Sequence, residues 1–386
     1  MNKIEEVLTR GVTNIIPDKK KLEEALHSKK KLNVYLGIDP TATRIHIGHG
    51  VPLRKLQEFV ELGHKVTFLI GDFTALIGDS SDKGNERPIL TYEQIQENFK
   101  TYKEQASKIL DFSKVKVKFN SAWLKKLGFA DVVKLCQHFS VGDFVGRELI
   151  KKRLSEGTKV GLHEFLYPVM QGYDSYFMDT DIQIGGADQT FNMQAGRTLQ
   201  KDFRDRESFV LVTGYLEGTD GRKMSKSWGN AIWISDSPDE MFGKIMSLHD
   251  DLIVQYFKNA IKTSEEKIDE VEKRLKAGEN PLILKKELGL ALITELHSKE
   301  AAEKAQKSFE KTFQERSPEF NIKVSAGENL IKTITPFTSR QSTSAAKELI
   351  RGGAVDVNGK VATDGSVVVA AGDKIKVGGR TFLLAK

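Results

Sequence analysis

A chain of 386 residues with 39% hydrophobic residues, 29% charged residues and a net charge of +6 has the composition of a globular protein with room for two or three domains. No apolar run reaches the length of a bilayer span, and the start, MNKIEEVLTRG, lacks an apolar signal core and is too acidic for a transit sequence, so a cytoplasmic protein is expected. The single cysteine, Cys136, excludes an internal disulfide and a cysteine-cluster metal site.

Residues 1–31 alternate charge with apolar spacing at Ile4, Val7, Leu8, Leu22, Ala25 and Leu26, which predicts one or two amphipathic helices with solvated lysines at 19–21 and 29–31. Val34–Ile38 reads as a strand that breaks at Asp39-Pro40. Thr41 and Thr43 then offer capping hydroxyls, and a helix with an apolar face at Val51, Leu53, Leu56 and Val60 follows. His46 and His49 share one face of that helix start, and Gly48 leaves the backbone bare between them. Imidazole donors beside helix-end amides suit phosphate and ribose. A histidine pair at a helix start is, on its own, an ordinary surface feature.

Val66–Asp72 predicts a second buried strand, completing a βαβ unit and hence a parallel, doubly wound sheet. Ligands of such sheets bind beyond the carboxyl ends of the strands, where Tyr35–His49 and Asp72–Asp79 fall. Residues 92–160 are helical in pattern apart from a short strand at Val115–Phe119. They form part of a helical insertion over about 80–180. Asp181–Ile184 and Phe209–Val212 resume the strands, and Gly185–Gln189 opens a helix between them. Gly218-Thr-Asp-Gly-Arg then leads into Lys223-Met-Ser-Lys-Ser227. A loop with two lysines and two hydroxyls in five residues can close over a polyphosphate.

Residues 237–316 are helical and charged, and 317–328 reads as a linker. From Asn329 onward nine basic residues face four acidic ones, so this tail carries +5 of the net +6. A small basic terminal unit points to nucleic acid. It predicts a helix over Ser342–Arg351 ended by Gly352-Gly353, a strand–turn–strand with Asn358-Gly359 at the turn, and a second hairpin from Lys374. The expected domains are 1–222, 223–316 and 329–386, joined by the linker: an α/β Rossmann-like unit, a helical unit and a small α+β tail.

His46-Ile-Gly-His49 and Lys223-Met-Ser-Lys-Ser227 together, in this order, resemble both signatures of the class I aminoacyl-tRNA synthetases. Tyr35 in YLGIDPT, Gly71–Asp79, Tyr167–Asp174 and Gly185–Gln189 are similar to the bacterial tyrosyl-tRNA synthetases, over nearly the whole chain. The tail resembles their S-four-like RNA-binding domain. The resemblance implies tyrosine, ATP and tRNA(Tyr) as substrates, a homodimer paired through residues 120–160, and no membrane association. It implies that Tyr35 and Asp174 bind the substrate phenol, that Tyr167, Gln171 and Asp79 hold the ammonium group, and that Gln189 lies near the carboxylate. Gly37, Asp39, Gly48, His49 and Asp188 line the ATP site by the same resemblance. Thr41 and His46 meet the phosphates, Lys223 and Lys226 clamp them, and Lys83 and Arg87 assist. The loop carrying the last two departs from the usual Asp-Pro-(Ser/Thr)-Gly, reading Asp79-Ser80-Ser81-Asp82.

The chemistry needs no prosthetic group and no protein metal cage, since Mg²⁺ travels with ATP. A site built on a buried carboxylate and a tyrosine hydroxyl rejects phenylalanine by roughly 10⁴–10⁵, so no editing domain is required. Three other readings stand beside this one. A tryptophanyl-tRNA synthetase shares both motifs, but Tyr35, Asp174 and the tail argue against it. A small-molecule nucleotidyltransferase has a similar His-x-Gly-His but not the second motif. A synthetase-derived RNA-binding protein without catalysis has no need of intact motifs.

Overall fold

The computed structural model describes residues 3–28, 30–78, 90–225, 228–314, 320, 322–338, 340–379 and 381–386. β1 spans Val12–Ile16, β2 Asn33–Ile38, β3 Lys65–Ile70, β4 Lys116–Phe119, β5 Ile182–Gly186 and β6 Phe209–Thr213. They form one sheet in the order β1-β6-β5-β2-β3-β4. β2 pairs in parallel with β3 and β5, β3 with β4, and β5 with β6, as the βαβ pattern demands.

β1 runs antiparallel to β6 at the sheet edge. It corrects the all-helical expectation for residues 1–31. Its short V-T-N-I-I run lies between two charged helices, Lys3–Thr9 and Lys19–His27, and finds its partner only in a strand distant in sequence.

The helix Ile47–Glu61 crosses from β2 to β3 and buries Leu53, Leu56 and Phe59 completely. Each such side chain contributes about 1.5–3 kcal/mol by leaving water. The strand order reverses between β2 and β5, so a crevice opens at the carboxyl ends of those two strands. Between β4 and β5 the chain makes the helices Ser121–Leu124, Phe129–Cys136, Val141–Val145, Glu148–Ser155 and Leu162–Phe177.

The chain divides into two compact units. The first holds Met1–Met224, Ile232–Ser235 and Asp250–Glu279. The second holds Ser225–Ala231, Asp236–His249 and Asn280–Lys386. In the second, the helices Pro238–Met246, Pro281–Leu296 and Lys299–Phe309 pack on one another and bury Phe242, Ile245, Leu284, Leu288 and Leu292.

The tail is a sheet in the order β7-β11-β10-β8-β9, with β7 at Ile322–Val324, β8 at Val355–Val357, β9 at Lys360–Val361, β10 at Lys374–Val377 and β11 at Thr381–Ala385. The helix Thr343–Arg351 starts on a Ser342 cap, as its sequence predicts. Asn358 and Gly359 take positive φ values of 53° and 79° in the turn between β8 and β9. Leu330, Ile334, Ile350, Val355, Ile375 and Leu383 form the tail's core. β7 pairs in parallel with β11, which corrects the linker expectation for 317–328: part of that stretch is a strand of the tail's own sheet. No helix among the described residues is long and apolar enough to cross a membrane.

Candidate active site

The crevice at the β2–β5 switch has a buried polar floor. Helix Leu162–Phe177 presents Tyr167, Gln171 and Asp174 at spacings of four and three, hence on one face. Asp174 is 2% exposed. Its Oδ1 accepts from Trp123 Nε1 at 2.7 Å and its Oδ2 from Asn120 Nδ2 at 3.1 Å. Burial pushes its pKa up to about 8; the two hydrogen bonds oppose this, and the nearby carboxylates of Asp39 and Asp72 add to it.

Tyr35, in β2, donates its hydroxyl to Gln183 Oε1 across the β2–β5 pairing at 3.1 Å. Gln183 Nε2 in turn donates to the Met193 carbonyl oxygen at 2.9 Å. Burial and then the Asp174 carboxylate push the Tyr35 hydroxyl well above the ordinary tyrosine range, so it stays protonated. Tyr35 and Asp174 are thus brought together.

A second carboxylate, Asp39, follows β2. Its Oδ2 accepts from Tyr167 at 2.9 Å and its Oδ1 from Thr74 Oγ1 at 2.7 Å. Gly71 makes this possible: a Cβ there would lie 1.9 Å from Asp39 Oδ1 and 2.3 Å from Thr74 Oγ1. Asn120 ties the parts together. It bonds Asp174 and Thr74 through Nδ2 and accepts from the Phe73 amide at 2.9 Å. Asp72 accepts from the Ser121 amide and hydroxyl at 2.9 and 2.6 Å, fixing the turn that carries Asn120.

The opposite part of the crevice is more open. His46 is half-buried and His49 exposed, with ring centroids 3.9 Å apart. The His49 ring accepts from the His46 amide through Nδ1 at 3.3 Å. Burial, then His49, then Lys223 press the His46 pKa down to about 2, so its ring is neutral and donates a single N–H. The ring lies over Gly48, where a Cβ would sit 2.9 Å from His46 Nδ1. Ile45–Ile47 are pinned by Ile232–Ile234: Ile47 N–H donates to the Ile232 carbonyl at 2.9 Å, and Ile234 N–H to that of Ile45 at 3.0 Å. Lys223 closes a tight turn opposite Glu217, within electrostatic reach of His46.

Of the remaining sequence-predicted residues, Thr41 is half-buried and donates its amide to the Asp39 carbonyl at 2.8 Å. Gly37 and Asp188 are exposed, and Gln171 is half-buried. Gln189 donates to Asp188 at 3.4 Å and accepts from Asn192 at 3.1 Å. Asp39, an ATP-site residue by the resemblance, accepts from the Tyr167 hydroxyl through its carboxylate. Asp79, Lys83, Arg87 and Lys226, the loop Asp79-Ser80-Ser81-Asp82 and parts of 317–328 lie outside the described residues. Sequence reasoning missed Asn120, Trp123, Thr74 and Gln183 as site residues. For Asn120, Trp123 and Thr74 a polar or indole side chain just beyond a strand end was the available signal; Gln183 lies within β5 and had none.

Residues 27–314 match the sequence profile of the family described as tRNA synthetases class I (W and Y), and residues 340–375 match the S4 domain. The chain is 44% identical to the tyrosine–tRNA ligase of Carboxydothermus hydrogenoformans, covering 98% of this chain and 96% of that one. It is 40% identical to that of Thermotoga maritima, with the same two coverages, 98% and 96%. Among solved structures, a C-terminally truncated mitochondrial tyrosyl-tRNA synthetase of Aspergillus nidulans superposes with a TM-score of 0.67 at 21% identity, over 81% of this chain and 94% of that one. The tyrosyl-tRNA synthetase of Archaeoglobus fulgidus, solved with L-tyrosine, gives 0.63 at 23% identity, over 78% and 98%. The two structural likenesses establish the shared fold.

Proposed function

This chain belongs to the class I tRNA synthetases of the tryptophan and tyrosine family, and from that premise we infer that it is a tyrosine–tRNA ligase. The observation that carries tyrosine rather than tryptophan is the Asp174 carboxylate, buried beside the Tyr35 hydroxyl and oriented by Asn120 and Trp123. A polar pair of this kind keeps acceptor capacity beyond its protein bonds that suits a phenol and that phenylalanine leaves unanswered. Tyr167, Gln171 and Asp79 take the ammonium group, and Gln189 the carboxylate.

The tyrosine carboxylate attacks the α-phosphorus of ATP, and pyrophosphate leaves with the electron pair of the broken P–O bond. The terminal ribose hydroxyl of tRNA(Tyr) then attacks the carbonyl carbon of the adenylate, releasing AMP. Gly37, Asp39, Gly48 and Asp188 line the nucleotide site, and Mg²⁺ enters as part of the MgATP substrate. Neutral His46 donates a hydrogen bond to the phosphates, with Thr41 and His49 beside it, while Lys223, Lys226, Lys83 and Arg87 supply charge. Such catalysis is positioning plus charge stabilisation at the phosphates.

The tail binds tRNA through basic residues such as Lys347 and Arg351, both exposed on the Thr343–Arg351 helix. A second copy of the chain is the partner for the insertion, where Phe129, Val141 and Leu162 are 85%, 76% and 79% exposed. The setting is the cytoplasm. Charging of tRNA by the purified chain tests this reading: tyrosine should become esterified to the 3′ end of tRNA(Tyr), and adenylate formation without transfer would contradict it.

A further inference from the structure

The Leu162–Phe177 helix carries three of the amino-acid-reading residues, and its first turn is weakly built. Its N-cap is Gly161, which has no side chain to cap with. Pro168 lies inside the helix and has no N–H to give the Glu164 carbonyl, so the first turn is tied to the rest by one bond fewer. Tyr167 stands at that weak joint.

A buried ion pair spans it. Arg153 and Glu164 are 4% and 2% exposed. Arg153, in the last turn of the Glu148–Ser155 helix, grips Glu164 with two nitrogens, Nη1 to Oε2 at 2.6 Å and Nη2 to Oε1 at 3.1 Å. Glu164 Oε1 also accepts from the Gly161 amide at 2.7 Å, the N3 half of a capping box whose other half Gly161 has no side chain to supply. Arg153 Nη2 donates further to the Lys159 carbonyl, so one guanidinium holds the preceding helix, the connecting loop and the new helix start.

We propose that Arg153 and Glu164 form a positioning clamp that sets Tyr167 for the substrate's ammonium group, a role that rests on the tyrosine-activating reading above. The clamp acts at one end of the helix. Asp174 lies two turns beyond Tyr167, about 10 Å along the axis, and is held separately by Asn120 and Trp123. Loosening the clamp therefore weakens tyrosine binding without changing how the phenol is told from a phenyl ring.

The test uses Arg153→Lys, which keeps the charge and loses the two-pronged grip, and Arg153→Met combined with Glu164→Gln, which leaves no unpaired buried charge. Melting curves establish folding, and ATP–pyrophosphate exchange then gives KM and kcat. The expected result is a KM for tyrosine raised roughly tenfold, with kcat, the KM for ATP and the tyrosine-to-phenylalanine preference each within about twofold of the unaltered chain. An unchanged KM for tyrosine in a folded variant overturns the clamp. So does an equal loss of phenol selectivity or ATP affinity, or failure of both variants to fold, since each makes the pair a general structural element. Tyrosine-independent behaviour of the unaltered chain would instead sink the functional reading, and this inference with it.

Discussion

The proposed amino-acid pocket around Asp174 and the proposed phosphate-facing stretch around His46 are built in opposite ways. Around Asp174 the polar groups that floor the pocket are buried and hydrogen-bonded: Asn120, Trp123, Thr74, Tyr35 and Gln183 are each committed to a named partner. Around His46 the groups are half-buried or exposed, and the backbone is held by a bridge to Ile232–Ile234. A pocket that discriminates must have polar groups of its own that the wrong ligand leaves unanswered, which requires rigidity and dryness. A group that acts on departing phosphates must follow a moving charge, which requires access.

The contrast can be broken most severely at its buried end. Replacing Asp174 by Ala should lower kcat/KM for tyrosine by about a thousandfold or more, and that for phenylalanine far less. Equal losses for both substrates would make Asp174 structural. On the open side, His46→Asn and Lys223→Ala should each lower the exchange rate by about 10²–10³, while the dissociation constant of tyrosine stays within about twofold. A large loss of tyrosine affinity there would erase the distinction between the two regions.

The tail stands outside both. Reversing Lys347 and Arg351 to Glu should raise the KM for tRNA about tenfold or more and flatten its salt dependence, with the exchange rate unchanged. Slower exchange would tie the tail to adenylate formation.

The smallest effect is a stability signature. The Asp174 carboxyl is raised to about 8 in the folded chain, so it is held protonated where the unfolded chain is already ionised. Its contribution to stability is complete below the unfolded carboxyl pKa and is lost as pH rises towards the folded value. Asp174→Asn removes that loss. The variant's Tm should exceed that of the unaltered, ligand-free chain by more at about pH 8.5 than at about pH 5.5. A gap independent of pH would show that the carboxyl is not held protonated.

Much of the open region was legible in the sequence because its signals are local. The Val34–Ile38 run, the Asp39-Pro40 break and the His46–His49 pair occupy one continuous stretch, and strand, turn and helix follow in register. The tail's Asn358-Gly359 turn and Ser342 cap are local in the same way. The buried pocket is stitched from distant segments. Asn120 reaches Asp174 across 54 positions and Tyr35 reaches Gln183 across 148, and no periodicity marks such pairs. β1 and β7 escaped notice for a related reason. Both are short, and each becomes a strand only by pairing with an edge supplied far along the chain.

The central claim is that this pocket reads a phenol. ATP–pyrophosphate exchange by the unaltered chain, run with each of the common amino acids in turn, tests it most directly. Tyrosine alone should support rapid exchange, with phenylalanine lower by roughly 10⁴–10⁵. Exchange with tryptophan at a comparable rate, or none with tyrosine, would contradict the account.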